Sequence, residues 1–274
     1  MIVTVTETAV APAPASPVRW NHLDQVRDPG FTGLAADAPR HVGNTTDGNH
    51  VHVATAGSKL IYGPAGVGKT VALDVDIAGA ALDPAARIVL LGAWRGELEA
   101  WRPLAETYAD TIDDTTQALL ALDAEVEERA RARNAALRAR AERDQGEIPA
   151  PPATWIFLDE FRSLELELGE RSAAAAGLRM ALLDLLEHGP RLGYRLVLTD
   201  MRVRMQPWME SLFGQVQKFG PNRTTPGLST IHVPGKLARR PLLGAYLSPS
   251  ERVEVGLTAL RLRAAQAAPV PKAV

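Results

Sequence analysis

The sequence predicts an α/β fold built on a mostly parallel sheet flanked by helices. Two observations carry that prediction. The first is Gly63-Pro64-Ala65-Gly66-Val67-Gly68-Lys69-Thr70, which fits the phosphate-loop pattern G-x-x-x-x-G-K-[ST] at every fixed position. It stands between a strand-like run and a helix-like run, the context that loop requires. The second is the order downstream, where short apolar runs alternate with helical stretches. Such alternation implies strand–helix–strand units and a sheet covered on both faces.

The elements follow in order. Residues 49–55 alternate through His50-Val51-His52-Val53, a strand pattern with both histidines on one face. Histidines at i and i+2 can begin a metal site. The sequence puts no third ligand beside them, so a partly exposed strand face is the expectation. Residues 59–62 read as a short buried strand, and residues 71–75 open a helix whose N-terminus faces the phosphates. Residues 87–92 form a second buried strand. Residues 115 to about 143 read as one long helix with an apolar stripe at Leu119, Leu122 and Val126. That stripe fades into Arg129, Arg131, Arg133, Arg138, Arg140 and Arg143, interleaved with Glu125, Glu127, Glu128 and Glu142. A solvated charged end is expected there, with contact to DNA or to a neighbouring subunit as the alternative. Gly146 to Pro152 breaks the helix. Residues 154–158 are an apolar strand, 173–187 a helix stopped by His188-Gly189-Pro190, and 194–199 another strand. Shorter strand candidates lie at 228–233 and 242–247.

Composition sets the outer limits. The chain has 274 residues, 46% hydrophobic and 23% charged, enough for a globular core. It has no cysteine, which excludes disulfides, thiolate zinc sites and cysteine nucleophiles, and suits a reducing cytoplasm. No apolar run reaches the length of a membrane span, and Met1 to Glu7 lacks the basic start and apolar core of a signal peptide. A cytoplasmic location is therefore expected. Three regions are expected: a flexible Ala/Pro-rich extension over 1–45, a single catalytic domain over 46–265, and a flexible tail over 266–274. The net charge is −2, which alone argues against nucleic acid. Its distribution does not, because residues 201–274 hold 11 Lys/Arg against 3 Asp/Glu. That quarter is either a polyanion footprint or a solvated face with salt partners elsewhere in the fold.

The loop's chemistry is specific. A triphosphate needs close backbone donors, and glycines at 63, 66 and 68 allow the required backbone angles with no Cβ in the way. Gly63, Pro64, Ala65, Gly66, Val67, Gly68, Lys69 and Thr70 are thus the expected nucleotide-binding residues. Lys69 reaches the β- and γ-phosphates, and the Thr70 hydroxyl is a ligand for Mg²⁺. The strand at 154–158 ends in Asp159-Glu160. Asp159 is expected to hold Mg²⁺ through water, from a strand next to the loop strand, and Glu160 to act as general base on the attacking water. Thr199 and Asp200 end the next strand as either a γ-phosphate sensor or an ordinary turn. Arg191, Arg202, Arg204 and Arg223 are candidates for a positive group delivered to the γ-phosphate.

In this order, the motifs resemble the FtsK/SpoIIIE branch of the HerA–FtsK motors. The carrying residues are Gly63 to Thr70, Glu97-Leu98, the long helix, Asp159-Glu160-Phe161, and Gly193 to Leu198 followed by Arg202. Gly96-Glu97-Leu98-Glu99-Ala100-Trp101 is most similar to short plasmid-transfer members. The resemblance covers residues from about 45 to 250. It implies a RecA-like core, a homo-hexameric ring, ATP and Mg²⁺ as cofactors, and ATP-driven movement of double-stranded DNA. It implies the catalytic roles of Lys69, Glu160 and Arg223, the last acting from a neighbouring subunit, and a separate loading or membrane partner. The chain departs from the family at three places. Gly92-Ala93-Trp94-Arg95 stands where Asp-Pro-Lys is usual, Thr199-Asp200-Met201-Arg202 where Ala-Thr-Gln-Arg is usual, and Pro221-Asn222-Arg223-Thr224 near the usual Asp-Ser-Arg-Thr. Viral genome packaging, or nucleotide binding for regulation with little hydrolysis, are the other functions these motifs allow.

Overall fold

Runs that are apolar at every position need cover on both faces of a sheet. Ile88 to Leu91, Trp155 to Leu158 and Leu196 to Leu198 are such runs, and all are buried. The computed structural model, which describes residues 18–54, 57–94, 96–141, 151–201, 210–220, 227–233 and 237–267, places them in the middle of one sheet. Its strands are β1 (Val18–Arg19), β2 (Pro39–Asn44), β3 (His50–Ala54), β4 (Lys59–Tyr62), β5 (Arg87–Leu91), β6 (Thr107–Ala109), β7 (Thr154–Leu158), β8 (Tyr194–Asp200), β9 (Gln215–Phe219), β10 (Leu228–Val233) and β11 (Leu237–Tyr246). The spatial order is β3-β2-β11-β10-β9-β4-β8-β7-β5-β6, with β1 beside β11. From β9 to β6 every neighbouring pair is parallel, and from β9 back to β3 every pair is antiparallel. The mostly parallel α/β fold expected from the sequence is the one observed.

Strand alternation divides the core in two. Ile88 and Leu90 join one apolar cluster with α2 (Lys69–Ala81) and α6 (Pro249–Ala267). Val89 and Leu91 point the other way, onto α3 (Ile112–Ala141), α4 (Phe161–Glu167) and α5 (Ala173–Glu187). The α3 stripe of Leu119, Leu122 and Val126 is buried there, while Arg131 and Arg138 lie exposed and Arg131 pairs along the helix with Glu127 at 3.5 Å.

The fold takes in residues that the sequence assigns to an extension ending at 45. Residues 18–44 supply β1, α1 (Leu23–Val26) and β2, and Trp20 is wholly buried among α2 and α6 residues. Burying one large indole is worth several CH₂ groups, enough to pin a short segment of poor propensity. Residues 1–17 and 268–274 lie outside the described residues.

His50 and His52 lie half-exposed on their strand, as expected, and the same segment packs two further histidines beside them. α1 and β2 bring His22 and His41 beside them, with His41 ring centroids 5.1 Å from His50 and 5.3 Å from His52. Among the described residues, no group of three His, Cys, Asp or Glu is arranged to hold a metal. The rings are wired as neutral acceptors instead. The Asn21 N–H donates to His41 Nδ1 at 3.2 Å, the His41 N–H to His22 Nε2 at 3.2 Å, and the Asn21 side-chain amide to His52 Nε2 at 3.0 Å. Burial pushes His41 down to about 3, against the opposing pull of its hydrogen bond to Asn44. The unfolded chain takes up a proton at His41 below pH 6.5 and the folded chain resists it, so stability falls as pH drops through that window. His41 should therefore contribute a loss of about 1–2 kcal/mol between pH 7 and pH 5, read in urea denaturation as the difference between wild type and His41→Gln over that range. The comparison isolates His41, because Asp74 and Asp159, both pushed up, act with opposite sign over the same range.

Candidate nucleotide site

Six parallel strands end their carboxyl termini along one edge, where ligands of open α/β sheets sit. β4 ends there at Tyr62, between β8 and β9, and the glycine loop follows. The Gly63 N–H donates to the Asp200 carbonyl at 3.2 Å, which ties the loop to β8. Gly66 and Gly68 take φ of 76° and 105°, the left-handed region that the sequence assigns to them. Val67 is buried beneath, and Pro64, Ala65 and Gly66 face outward. α2 starts at Lys69 on a Gly68 N-cap that offers no side-chain acceptor, and its first turn carries no acid. Its first amide N–H groups are therefore left for an anion. Lys69 Nζ folds back to the Pro64 carbonyl at 2.9 Å. Burial pushes its ammonium down, while Glu160, Asp159, Asp200 and Glu97 together oppose that shift.

The acid pair arrives from β7, and here the sequence expectation is corrected. β7 is not next to the loop strand; β8 lies between them. The gap is bridged by Thr199 of β8. Its hydroxyl donates to Asp159 Oδ1 and accepts the Glu160 N–H at 2.9 Å. Thr199 is wholly buried and so braces the pair rather than forming a surface turn. Among the described residues Glu160 is the single non-glycine with positive φ, at 53°. That conformation costs about 1–2 kcal/mol for an L-residue. It turns the chain sharply from β7 into α4, with Ser163 Oγ donating to Glu160 Oε2 at 3.2 Å. Gly92 makes the turn possible. It lies at φ 76°, and a Cβ built there would sit under 3.0 Å from the Asp159 carbonyl oxygen.

A carboxylate that the sequence reading used only as part of a Glu-Leu element completes the site. Thr70 Oγ1 donates to Glu97 Oε2 at 3.1 Å. A signal for it existed: Glu97 follows the carboxyl end of β5, which lies on the same edge as the ends of β4 and β7. One turn further along α2, Asp74 accepts from Trp101 Nε1 at 2.7 Å and pairs with Arg252 of α6 at 3.1 Å. Burial pushes both Asp74 and Asp159 up to about 6. At Asp159 the Thr199 bond opposes this and the Glu97 and Glu160 charges add to it.

The candidate arginines fare differently. Arg202, Arg204 and Arg223 lie outside the described residues. Arg191 sits before β8, at the opposite end of that strand from Asp200 and so roughly 20 Å from the loop edge.

The donors fit a magnesium–nucleotide pair. A phosphate chain beside Asp159, Glu160, Asp200 and Glu97 would be repelled unless a cation lay between them. The donors on offer are hard oxygens, as Mg²⁺ prefers.

The sequence matches no family model and no curated protein. Solved structures do match the fold. EssC (ATPases 2 and 3) from Geobacillus thermodenitrificans aligns with a TM-score of 0.66 at 17% identity, over 96% of this chain and 54% of that one. The cytoplasmic domain of the Thermomonospora curvata type VII secretion ATPase EccC aligns with a TM-score of 0.65 at 16% identity, over 90% and 34%. The pCW3 conjugation coupling protein TcpA, solved as a monomer with ATPγS, aligns with a TM-score of 0.66 at 15% identity, over 92% and 75%. The chain thus has the α/β fold of P-loop ATPase domains. It spans about half of the EssC chain and about a third of the EccC chain.

Proposed function

We propose that this chain is an ATPase motor that moves double-stranded DNA, in plasmid or mobile-element transfer. One observation carries the reading: Lys69 and Thr70 meet the charges of Asp159, Glu160 and Glu97 at a single sheet edge. In this mechanism the loop amides and the first turn of α2 bind the phosphate chain. Lys69 exchanges the Pro64 carbonyl for phosphate oxygens. Thr70 and Asp159 would hold Mg²⁺, which when bound draws charge from the phosphate oxygens. Glu160 takes the proton of the attacking water, and Thr199 keeps the Asp159-Glu160 pair from rotating away. In a homo-hexamer, Arg223 of one copy would serve the γ-phosphate of the next.

The excess of Lys/Arg over residues 201–274, and the fold shared with a conjugation coupling protein, support DNA as cargo. No helix among the described residues is long and apolar enough to cross a membrane, so a motor working at a membrane would need an anchoring or loading partner. A cytoplasmic site of action goes with this reading. The fold shared with secretion ATPases favours a second cargo, an extended polypeptide.

Duplex DNA separates the two. ATP hydrolysis should rise several-fold with duplex DNA at 50 mM salt and lose most of that rise at 200 mM, because phosphate contacts release counterions. A rate unmoved by DNA at low salt would remove DNA as the cargo.

A further inference from the structure

We propose that Glu97 is a positioning residue of the magnesium site, acting through the Thr70 hydroxyl. The proposal rests on the nucleotide-site reading above. A threonine hydroxyl has one proton and two lone pairs. It can offer a lone pair to a cation only if its proton points elsewhere, at an acceptor. Asp159, the other residue assigned to the metal, already accepts the proton of Thr199. Thr70 instead gives its proton to Glu97 Oε2 at 3.1 Å. The two hydroxyls are thereby sorted. Thr199 orients Asp159 from β8, and Glu97 orients Thr70 from the segment that follows β5.

Electrostatics place Glu97 at the same point. Its charge is the largest carboxylate influence on Asp159 and also reaches Asp74 and Lys69. A carboxylate there opposes a bare phosphate chain and favours one carrying a divalent cation. Glu97 thus makes nucleotide binding conditional on magnesium. The alternative is structural, with Glu97 merely pinning its loop to the start of α2. That role would leave the magnesium requirement of binding unchanged.

The test measures affinity for a fluorescent ATP analogue across a magnesium titration, without turnover. In Glu97→Ala, the magnesium needed for half-maximal binding should rise at least ~10-fold, the usual scale for losing a partner that orients a ligand. Affinity in EDTA should stay level or tighten, since one negative charge has gone. Glu97→Gln keeps an acceptor for Thr70 and should hold the magnesium requirement within about threefold. In a Thr70→Ala background, Glu97→Ala should add little further loss, because the two act as one unit. A wild-type magnesium requirement in Glu97→Ala overturns the proposal. So does equal failure of the Ala and Gln variants, or full additivity with Thr70→Ala. A wild-type chain that binds no nucleotide at all would instead sink the nucleotide-site reading itself.

Discussion

Glu160→Gln is expected to bind ATP within a few-fold of wild type and to lose turnover by roughly 10²–10⁴-fold, the range for removing a general base. The substitution keeps the side chain's volume, and its amide oxygen can still accept from Ser163. The backbone N–H to Thr199 is untouched. Lys69, Thr70 and Asp159 keep their positions, so loss of rate with retained affinity would assign the proton transfer to this one carboxylate. The measurements are kcat at saturating ATP and the affinity for a fluorescent analogue. Turnover near wild type would take Glu160 out of that role.

Gly92→Ala is expected to be the most damaging small substitution at the site. An added Cβ meets the Asp159 carbonyl, whose backbone has little room to yield. The Asp159 N–H is bound to the Leu91 carbonyl at 3.1 Å, and the Gly92 N–H faces Thr115 Oγ1 at 3.3 Å. The positive φ adds its own cost, so the total should be about 3 kcal/mol or more. Thermal denaturation should show a clear drop in melting temperature, and any protein that folds should carry Asp159 out of place. Gly177→Ala is the matching control. It lies in α5 with no atom within 4 Å of the new methyl, and should be neutral or stabilising by up to about 1 kcal/mol. A wild-type melting temperature for Gly92→Ala would mean that this close approach does not constrain the turn.

The strands most legible in the sequence are those buried on both faces. Lys59–Tyr62 and Thr154–Leu158 stand at the expected bounds, as does the Ala173–Glu187 helix, which Ser172 caps from its side chain. β9 does not stand out in the sequence, because Gln215 and Gln217 interrupt its apolar pattern although both are buried. β2 reads as loop for a similar reason. Its Arg40 and His41 are polar in composition yet fully packed, with the Arg40 guanidinium 4.3 Å from the Trp155 ring centre. Such residues are held by tertiary contacts that local propensity does not record. At the site, the glycine loop and the acid pair were legible because their chemistry is contiguous in sequence. The brace from Thr199 is not legible, since it depends on which strands lie side by side, and strand order is a long-range property; at Glu97 the place after a strand end is legible, but the bond to Thr70 is not.

Asp74 has a mechanical consequence. Its two oxygens clamp Trp101 and Arg252, so α2, which opens at the glycine loop, is bolted near its middle to an outer helix on the protein's flank. The outward side of that helix carries the exposed side chains of Val253, Leu257 and Leu260. A single buried carboxylate thus joins the loop-bearing helix to a greasy ridge on the exterior.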